Sequence, residues 1–432
     1  MLAPCCRWRR ARPIQQCLRL ADDSRPRARE THPVFALRAP QAFDGTRFLL
    51  GGATVLVEGE KIVGVEAHDF AVPDGCAVTS YDGTLLPGLV DAHVHLVADG
   101  SPGSLERVEG MSPEEIDAAI EKTLAAQAAK GVTTVRDLGD CDYRTLAFRD
   151  RRTPGQPRII AAGPPITTTG GHCHFLGSQA DGADALRAAV AEHHERGVDV
   201  IKVMASGGFL TVGTDMFGVQ YEATDLAIVV EAAHAVGLQV LAHAHSIRGI
   251  EAALAAGVDC IEHFSGISED GSVISDDLLD RVAAAGIMVD PTMGFDQSLL
   301  AFMPPPPPQA LEVMAKTGMD FGSMLARGFE TAARLRAHGI RVVPGVDSGA
   351  MPLKAHGNEW IAIADLVRAG WPVEEALAAG TSGAADACGV GDVTGRLAVG
   401  YDADLLVVRG DVAADASALG ETEAVVVRGH PV

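Results

Sequence analysis

The sequence predicts an α/β protein, a (β/α)8 TIM barrel carrying a small β-sandwich built from both chain ends. Three observations point there. From residue 86 to 390, short apolar runs alternate with Ala-rich amphipathic stretches, the pattern of strands feeding helices. Glycine follows or nearly follows six of the helical stretches, at positions 131, 197, 237, 257, 286 and 339, as helix C-caps require. Both ends of the chain instead hold short β-branched runs broken by Gly and Asp.

The elements follow in order. Residues 1–33 hold eight arginines against Asp22, Asp23 and Glu30, with no apolar stretch of the kind a secretory signal needs. They are expected to form a disordered leader, with organellar targeting as the alternative. Residues 34–85 read as strands, among them Ala53–Glu58, Ile62–Glu66 and Ala77–Tyr81. Residues 391–432 share that texture in Asp404–Arg409 and Ala424–Arg428. The two ends are expected to assemble into the sandwich.

Residues 86–390 carry the barrel. Its expected strands are Leu86–Leu96, Thr133–Leu138, Arg158–Ala162, Val198–Ala205, Gln239–His245, Asp259–His263, Ile287–Pro291 and Arg341–Asp347. The helices between them include Pro113–Lys130, Asp184–Arg196, Ala223–Val236, Ile247–Ala256, Asp276–Ala285 and Gly322–His338. An open doubly wound sheet is the alternative, and the lack of a GxGxxG after the first strand counts against it. The five prolines at 304–308 are expected to form a polyproline stretch in a loop after the seventh strand.

Composition narrows the function. The 432 residues are 47% hydrophobic, enough for a substantial core. A net charge of −22 repels phosphate backbones, so no nucleic-acid partner is expected. No apolar run reaches the length of a membrane span, so no membrane partner is expected either. Eight cysteines without a CxxC pair read as reduced thiols in a cytoplasmic protein.

In such a barrel, chemistry gathers at the C-terminal strand ends. The first strand ends in Asp91-Ala92-His93-Val94-His95. Strand side chains alternate, so His93 and His95 share a face and can chelate one divalent ion. Lys202, one of six lysines, sits inside the apolar run Val198–Met204. A buried ammonium must be paired or neutralised. Either it meets a carboxylate such as Asp347, or the amine reacts with carbon dioxide to give an anionic carbamate able to bridge two metals. The fifth strand ends in His243-Ala244-His245, the sixth in Glu262-His263, and the eighth in Val346-Asp347. Five of fifteen histidines thus fall at three strand ends, a strong joint signal for a metal centre.

The ordered set His93-x-His95, Lys202, His243, His263 and Asp347 resembles the amidohydrolase superfamily in its two-metal form. Leu86-Pro87-Gly88-Leu89-Val90-Asp91-Ala92-His93-Val94-His95 is similar to that family's first-strand motif. Ile201-Lys202-Val203-Met204-Ala205-Ser206-Gly207-Gly208 resembles its imidazolonepropionase-related prolidases and carboxypeptidases, and ochratoxin-hydrolysing amidases are similar. Gly395-Arg396-Leu397 and Gly400-Tyr401-Asp402-Ala403-Asp404-Leu405 resemble the return strand of the family's sandwich.

The resemblance implies two divalent ions, zinc being suited to imidazoles. His93, His95 and Asp347 would hold one and His243 with His263 the other, bridged by carboxylated Lys202. It assigns the ligand role to His243 and leaves His245 either behind the ligands or near substrate. It also implies hydrolysis by a hydroxide shared between the ions, with Asp347 as proton shuttle. His172 and Tyr221 are its candidates for the oxyanion or a substrate carboxylate. Two departures touch the pocket: Cys173 stands where a glycine is expected, and Phe264 where a small residue is.

The expected substrate is small, a dipeptide such as Xaa-Pro or an N-acyl amino acid, and the resemblance implies a homo-oligomer. The alternatives are a single-metal deaminase or imidazolone-type hydrolase, a lactone or organophosphate hydrolase, and a non-catalytic scaffold.

Overall fold

A computed structural model of the chain describes residues 34–432 apart from 272, 304 and 307. The expected leader, 1–33, lies outside the described residues, as do Pro304 and Pro307 of the proline run. Pro308 opens a helix, Pro308–Thr317, where a fixed φ and a missing N–H cost nothing.

Seven of the expected parallel strands form, in two sheets. One orders Arg158–Ala161, Val132–Asp137 and Leu89–Val94. The other orders Val200–Met204, Gln239–Ser246, Cys260–Ile267 and Met288–Asp290. Parallel bridges join Ile166 to Val203, Val289 to Val342, and Val94 to Ser348. The helices lie where periodicity puts them: Pro113–Ala129, Ala183–Arg196, Ala223–Ala235, Ile247–Ala256, Asp276–Ala285 and Phe321–Ala337. Gly197, Gly257 and Gly286 are left-handed C-caps. Ser112 and Glu115 form a capping box at Pro113–Ala129. These elements are those of a TIM-barrel-type α/β fold. Among the described residues no helix is long and apolar enough to cross a membrane.

Two expectations change. The run Leu86–Leu96 is two strands, Thr84–Pro87 and Leu89–Val94, split at Gly88. The first pairs with Leu405–Val408 from the far end of the chain, and Gly88 N–H donates to the Asp404 carbonyl at 2.9 Å. The eighth run, Arg341–Asp347, makes only isolated bridges. Pro344 lacks a donor, and Asp347 has φ 63°, outside any strand conformation. Gly345 lets the backbone pass the first strand closely: a Cβ there would lie 2.6 Å from His93 Cβ.

The chain ends form two further sheets. One contains Val34–Ala39, Ala53–Glu58, Lys61–Glu66 and Ala77–Ser80; the other includes Gln41–Phe43, Thr84–Pro87, Leu405–Val408 and Thr422–Val427. They share an apolar core through Leu37, Val55, Leu85, Leu405, Val407 and Val426. A separate cluster lies among the parallel strands and includes Val200, Leu241, Cys260 and Met288. Two residues further along the same strands stand Lys202, His243, Glu262 and Asp290. Period two therefore puts these four polar groups on the face that the apolar cluster shares, one level nearer the C-terminal strand ends.

Candidate metal centre

All six metal-ligand candidates line one cavity of about 170 Å³ at the C-terminal strand ends. His95 Nε2 lies 3.2 Å and His93 Nε2 3.6 Å from Asp347 Oδ1. The donor atoms of His93, His95 and Asp347 fall within 4.8 Å of one another, and so do those of His243, His245 and His263. Lys202, 1% exposed, brings Nζ to 3.4 Å from His93 Nε2. Among the described residues it makes no ion pair within 4.0 Å, so the pairing with Asp347 open at the sequence level is not made.

Each imidazole is held by its outer nitrogen. His95 Nδ1 donates to the Gly139 carbonyl at 3.1 Å, and His243 Nε2 to the Gly207 carbonyl at 3.1 Å. His93 Nδ1 faces Glu262 Oε2 at 3.0 Å and Asp290 Oδ2 at 3.2 Å. On His93 and His243 these acceptors favour the ring proton outside and the lone pair inside, the tautomer a metal ligand needs, whereas the inner nitrogen of His95 shares a proton with Asp347. His263 Nδ1 meets Thr292 Oγ1 at 3.1 Å. His245 Nδ1 meets Ser265 Oγ at 2.8 Å, and its ring stacks on His263 with centroids 4.4 Å apart.

Electrostatics suit cations here. Burial pushes His93 down to about 4 and His243 and His263 well below their ordinary value, so these rings are neutral donors. Burial likewise lowers Lys202 and favours its neutral, nucleophilic amine. Burial opposes charge on Asp347, but the His95 hydrogen bond and nearby Lys354 hold its carboxyl well below the usual range. His95 responds in turn: burial disfavours its cation, yet Asp347 raises its pKa. The His95–Asp347 proton sits where a divalent ion would compete with it. An imidazole-rich set with one carboxylate and a buried amine that has no carboxylate within 4.0 Å among the described residues fits divalent metal ions.

The backbone is strained around these groups. His263, Phe264, Thr292 and Asp347 have φ of 70°, 50°, 44° and 63°, conformations held only where surrounding structure over-determines them.

Of the remaining candidates, His172 lines the cavity. Thr211 Oγ1 accepts from Cys173 N–H at 3.0 Å and lies 3.0 Å from His172 Nδ1. The Thr211 hydroxyl can donate to Nδ1 while it accepts from Cys173, and in that tautomer the ring proton is on Nε2, the nitrogen 3.5 Å from Cys173 Sγ. Burial lowers His172 to about 3, so it is a neutral donor. Tyr221 is a correction. It is 3% exposed in the core, is absent from the cavity wall, and donates its hydroxyl to the Ala180 carbonyl at 2.6 Å.

Four groups escaped the sequence reading. Glu262 and Asp290 hold His93, and fully buried Arg136 reaches Glu262 Oε1 at 3.5 Å. Lys354, 3% exposed, donates to the Thr292 carbonyl at 2.8 Å and lies 3.8 Å from Asp347 Oδ2. A signal was available for Arg136, a charge inside an apolar strand just as Lys202 is.

Comparison with known proteins adds the family. A model of the amidohydrolase family matches residues 84–432. An uncharacterized protein of Mycobacterium tuberculosis is 29% identical over 309 residues, 71% of this chain and 75% of its own. Ochratoxinase of Aspergillus niger is 29% identical over 213 residues, 43% of this chain and 44% of its own. Among solved structures, a Xaa-Pro dipeptidase with bound methionine superposes with a TM-score of 0.79 at 24% identity, over 92% of this chain and 99% of that one, a likeness of fold.

Proposed function

The chain belongs to the amidohydrolase family and is a hydrolase of carbon–nitrogen bonds, and from that premise we propose that it is a two-metal amidohydrolase cleaving the amide or peptide bond of a small substrate. A dipeptide such as Xaa-Pro or an N-acyl amino acid is the substrate in this reading. The scaffold is a (β/α)8 barrel over residues 86–390, with the two parallel sheets as one wall, and a β-sandwich from 34–85 and 391–432. The protein acts in the cytoplasm, as a homo-oligomer, with no nucleic-acid or membrane partner.

His93, His95 and Asp347 would hold one divalent ion, zinc by donor type, and His243 with His263 the second. Lys202 would bridge them as its carbamate. Bound there, the ions supply an acidified water and a polarised carbonyl. The chain supplies the rest. Asp347 turns Oδ1 to the histidines, while Oδ2 lies 3.8 Å from Lys354 Nζ, beyond hydrogen-bond reach, so Oδ2 keeps a lone pair to take a proton and pass it to the leaving amine. His172 Nε2–H is the neutral donor for the developing oxyanion. His245, on the cavity wall beside His263, contacts substrate.

One observation carries the reading: six side chains from five separate chain segments turn donor atoms into one cavity. The test is a screen of dipeptides and N-acyl amino acids against zinc-loaded protein, with metal analysis alongside. About two ions per chain and amide cleavage are expected. The grouping of His245 with His243 and His263 supports the second reading, a single-metal deaminase or imidazolone hydrolase. One ion per chain, with ammonia release or with ring opening of a cyclic amide, would select it. Lactone or phosphotriester cleavage without amide turnover, or no turnover at all, would overturn both.

A further inference from the structure

The cavity wall beyond the histidines is rich in phenylalanine and methionine. Aromatic residues are only 5% of the sequence, yet five of the thirteen phenylalanines and five of the eleven methionines line this one cavity. Phe264, directly after His263, is fully buried with φ 50°, so a strained backbone holds its ring at the wall. Phe209 stands edge-on to His245 at 5.0 Å, and Phe295 edge-on to Phe321 at 5.6 Å.

The helix Phe321–Ala337 sends Phe321, Met324, Leu325 and Phe329 to the cavity. Their spacing is that of one apolar helix face. These four are only half-buried, whereas Ala332 and Leu335 on the same helix are fully covered. The cationic groups of this wall are already engaged. Arg327 contacts Met319 Sδ at 3.4 Å, and Lys354 lies over the Phe295 ring at 4.4 Å while donating to the Thr292 carbonyl. A wall of this kind gains most from desolvating a large apolar group, and methionines adapt to its shape.

We infer that the substrate carries a bulky apolar group, aromatic in size, next to the scissile amide: an aryl-acyl or long-chain acyl amino acid, or a dipeptide with a large apolar side chain. The inference rests on the amidohydrolase reading and narrows it away from substrates as compact as acetyl-amino acids and Gly-Pro. Burying the extra group is worth on the order of 10- to 100-fold in kcat/KM.

The test compares N-acetyl and N-phenylacetyl derivatives of one amino acid on zinc-loaded enzyme, and Gly-Pro with Phe-Pro. Calorimetry on metal-stripped protein with the phenylacetyl compound gives a second readout. Expected are a preference of at least about 10-fold for the bulky member of one pair and binding with a negative heat-capacity change. Phe321→Ala should collapse that preference, and Phe321→Leu should keep most of it. Equal or better turnover of both compact members overturns this inference while leaving amide hydrolysis intact. Binding of the phenylacetyl compound with no amide cleaved overturns the reaction reading while supporting the apolar ligand. Neither binding nor cleavage overturns both.

Discussion

Gly208→Ala tests the role of His172 without touching His172. A Cβ at position 208 would sit 2.2 Å from His172 Nε2, 2.3 Å from Cε1 and 2.6 Å from Cδ2. Real contacts are about an ångström longer, so the ring must swing away. It has little room, because the His243 ring lies with its centroid 4.5 Å off and Thr211 holds Nδ1 at 3.0 Å. Any swing that relieves the clash strains that hydrogen bond and takes Nε2–H off its aim. Losing one oxyanion donor costs about 10²–10³ in kcat, roughly 3–4 kcal/mol. The assay is kcat and KM on the best amide from the screen, with metal content measured on the same samples. Gly208→Ala should lower kcat by about that factor with KM and metal content near wild type. The cycle with His172→Ala is decisive: if both changes act through the ring, the double variant is no slower than the worse single one. A Gly208→Ala enzyme within about threefold of wild type, or losses that multiply in the double variant, would refute the assignment.

Three further expectations follow from buried groups. Lys202→Ala should remove most of the second ion and lower turnover by at least about 10³-fold; wild-type rates with two ions bound would contradict a bridging role. Arg136→Met leaves Glu262 buried without its guanidinium partner, 3.5 Å away, and should cost about 3–5 kcal/mol in urea unfolding; a loss below about 1 kcal/mol would mean that the pair carries little. Glu359 is fully buried, neither carboxylate oxygen has a hydrogen-bond partner among the described residues, and burial pushes its pKa well above the ordinary value. A carboxyl raised in the folded state favours folding below its unfolded pKa, and that contribution is lost as pH rises toward the folded value. Glu359→Gln should therefore stabilise the protein, by an amount growing from pH 5 to pH 8 by up to about 1.4 kcal/mol per unit. A variant whose advantage is flat or shrinks over that range would contradict the buried neutral acid.

Local rules made much of this protein legible from its residues in order. Helix periodicity with glycine stops located Ile247–Ala256 and Asp276–Ala285 to the residue. Two-residue alternation was enough to put His93 with His95 and His243 with His245, because a strand's geometry relates such neighbours wherever it lies. The same locality explains the failures. Leu86–Leu96 reads as one apolar run, and only the partner strand Leu405–Val408 divides it. Tyr221 lies on a loop, whose direction no periodicity encodes, and it turned into the core. His93 meets Asp290 across 197 residues and Gln127 meets His356 across 229, while Lys354 reaches Thr292 across 62. Which residue types were present, and which face of its own strand each occupied, was settled by the sequence. Which nitrogen of each ring points inward, which carboxylates stand behind it, and which phenylalanines wall the cavity were decided by packing between distant segments, because a side chain's partner is chosen by its neighbours in space.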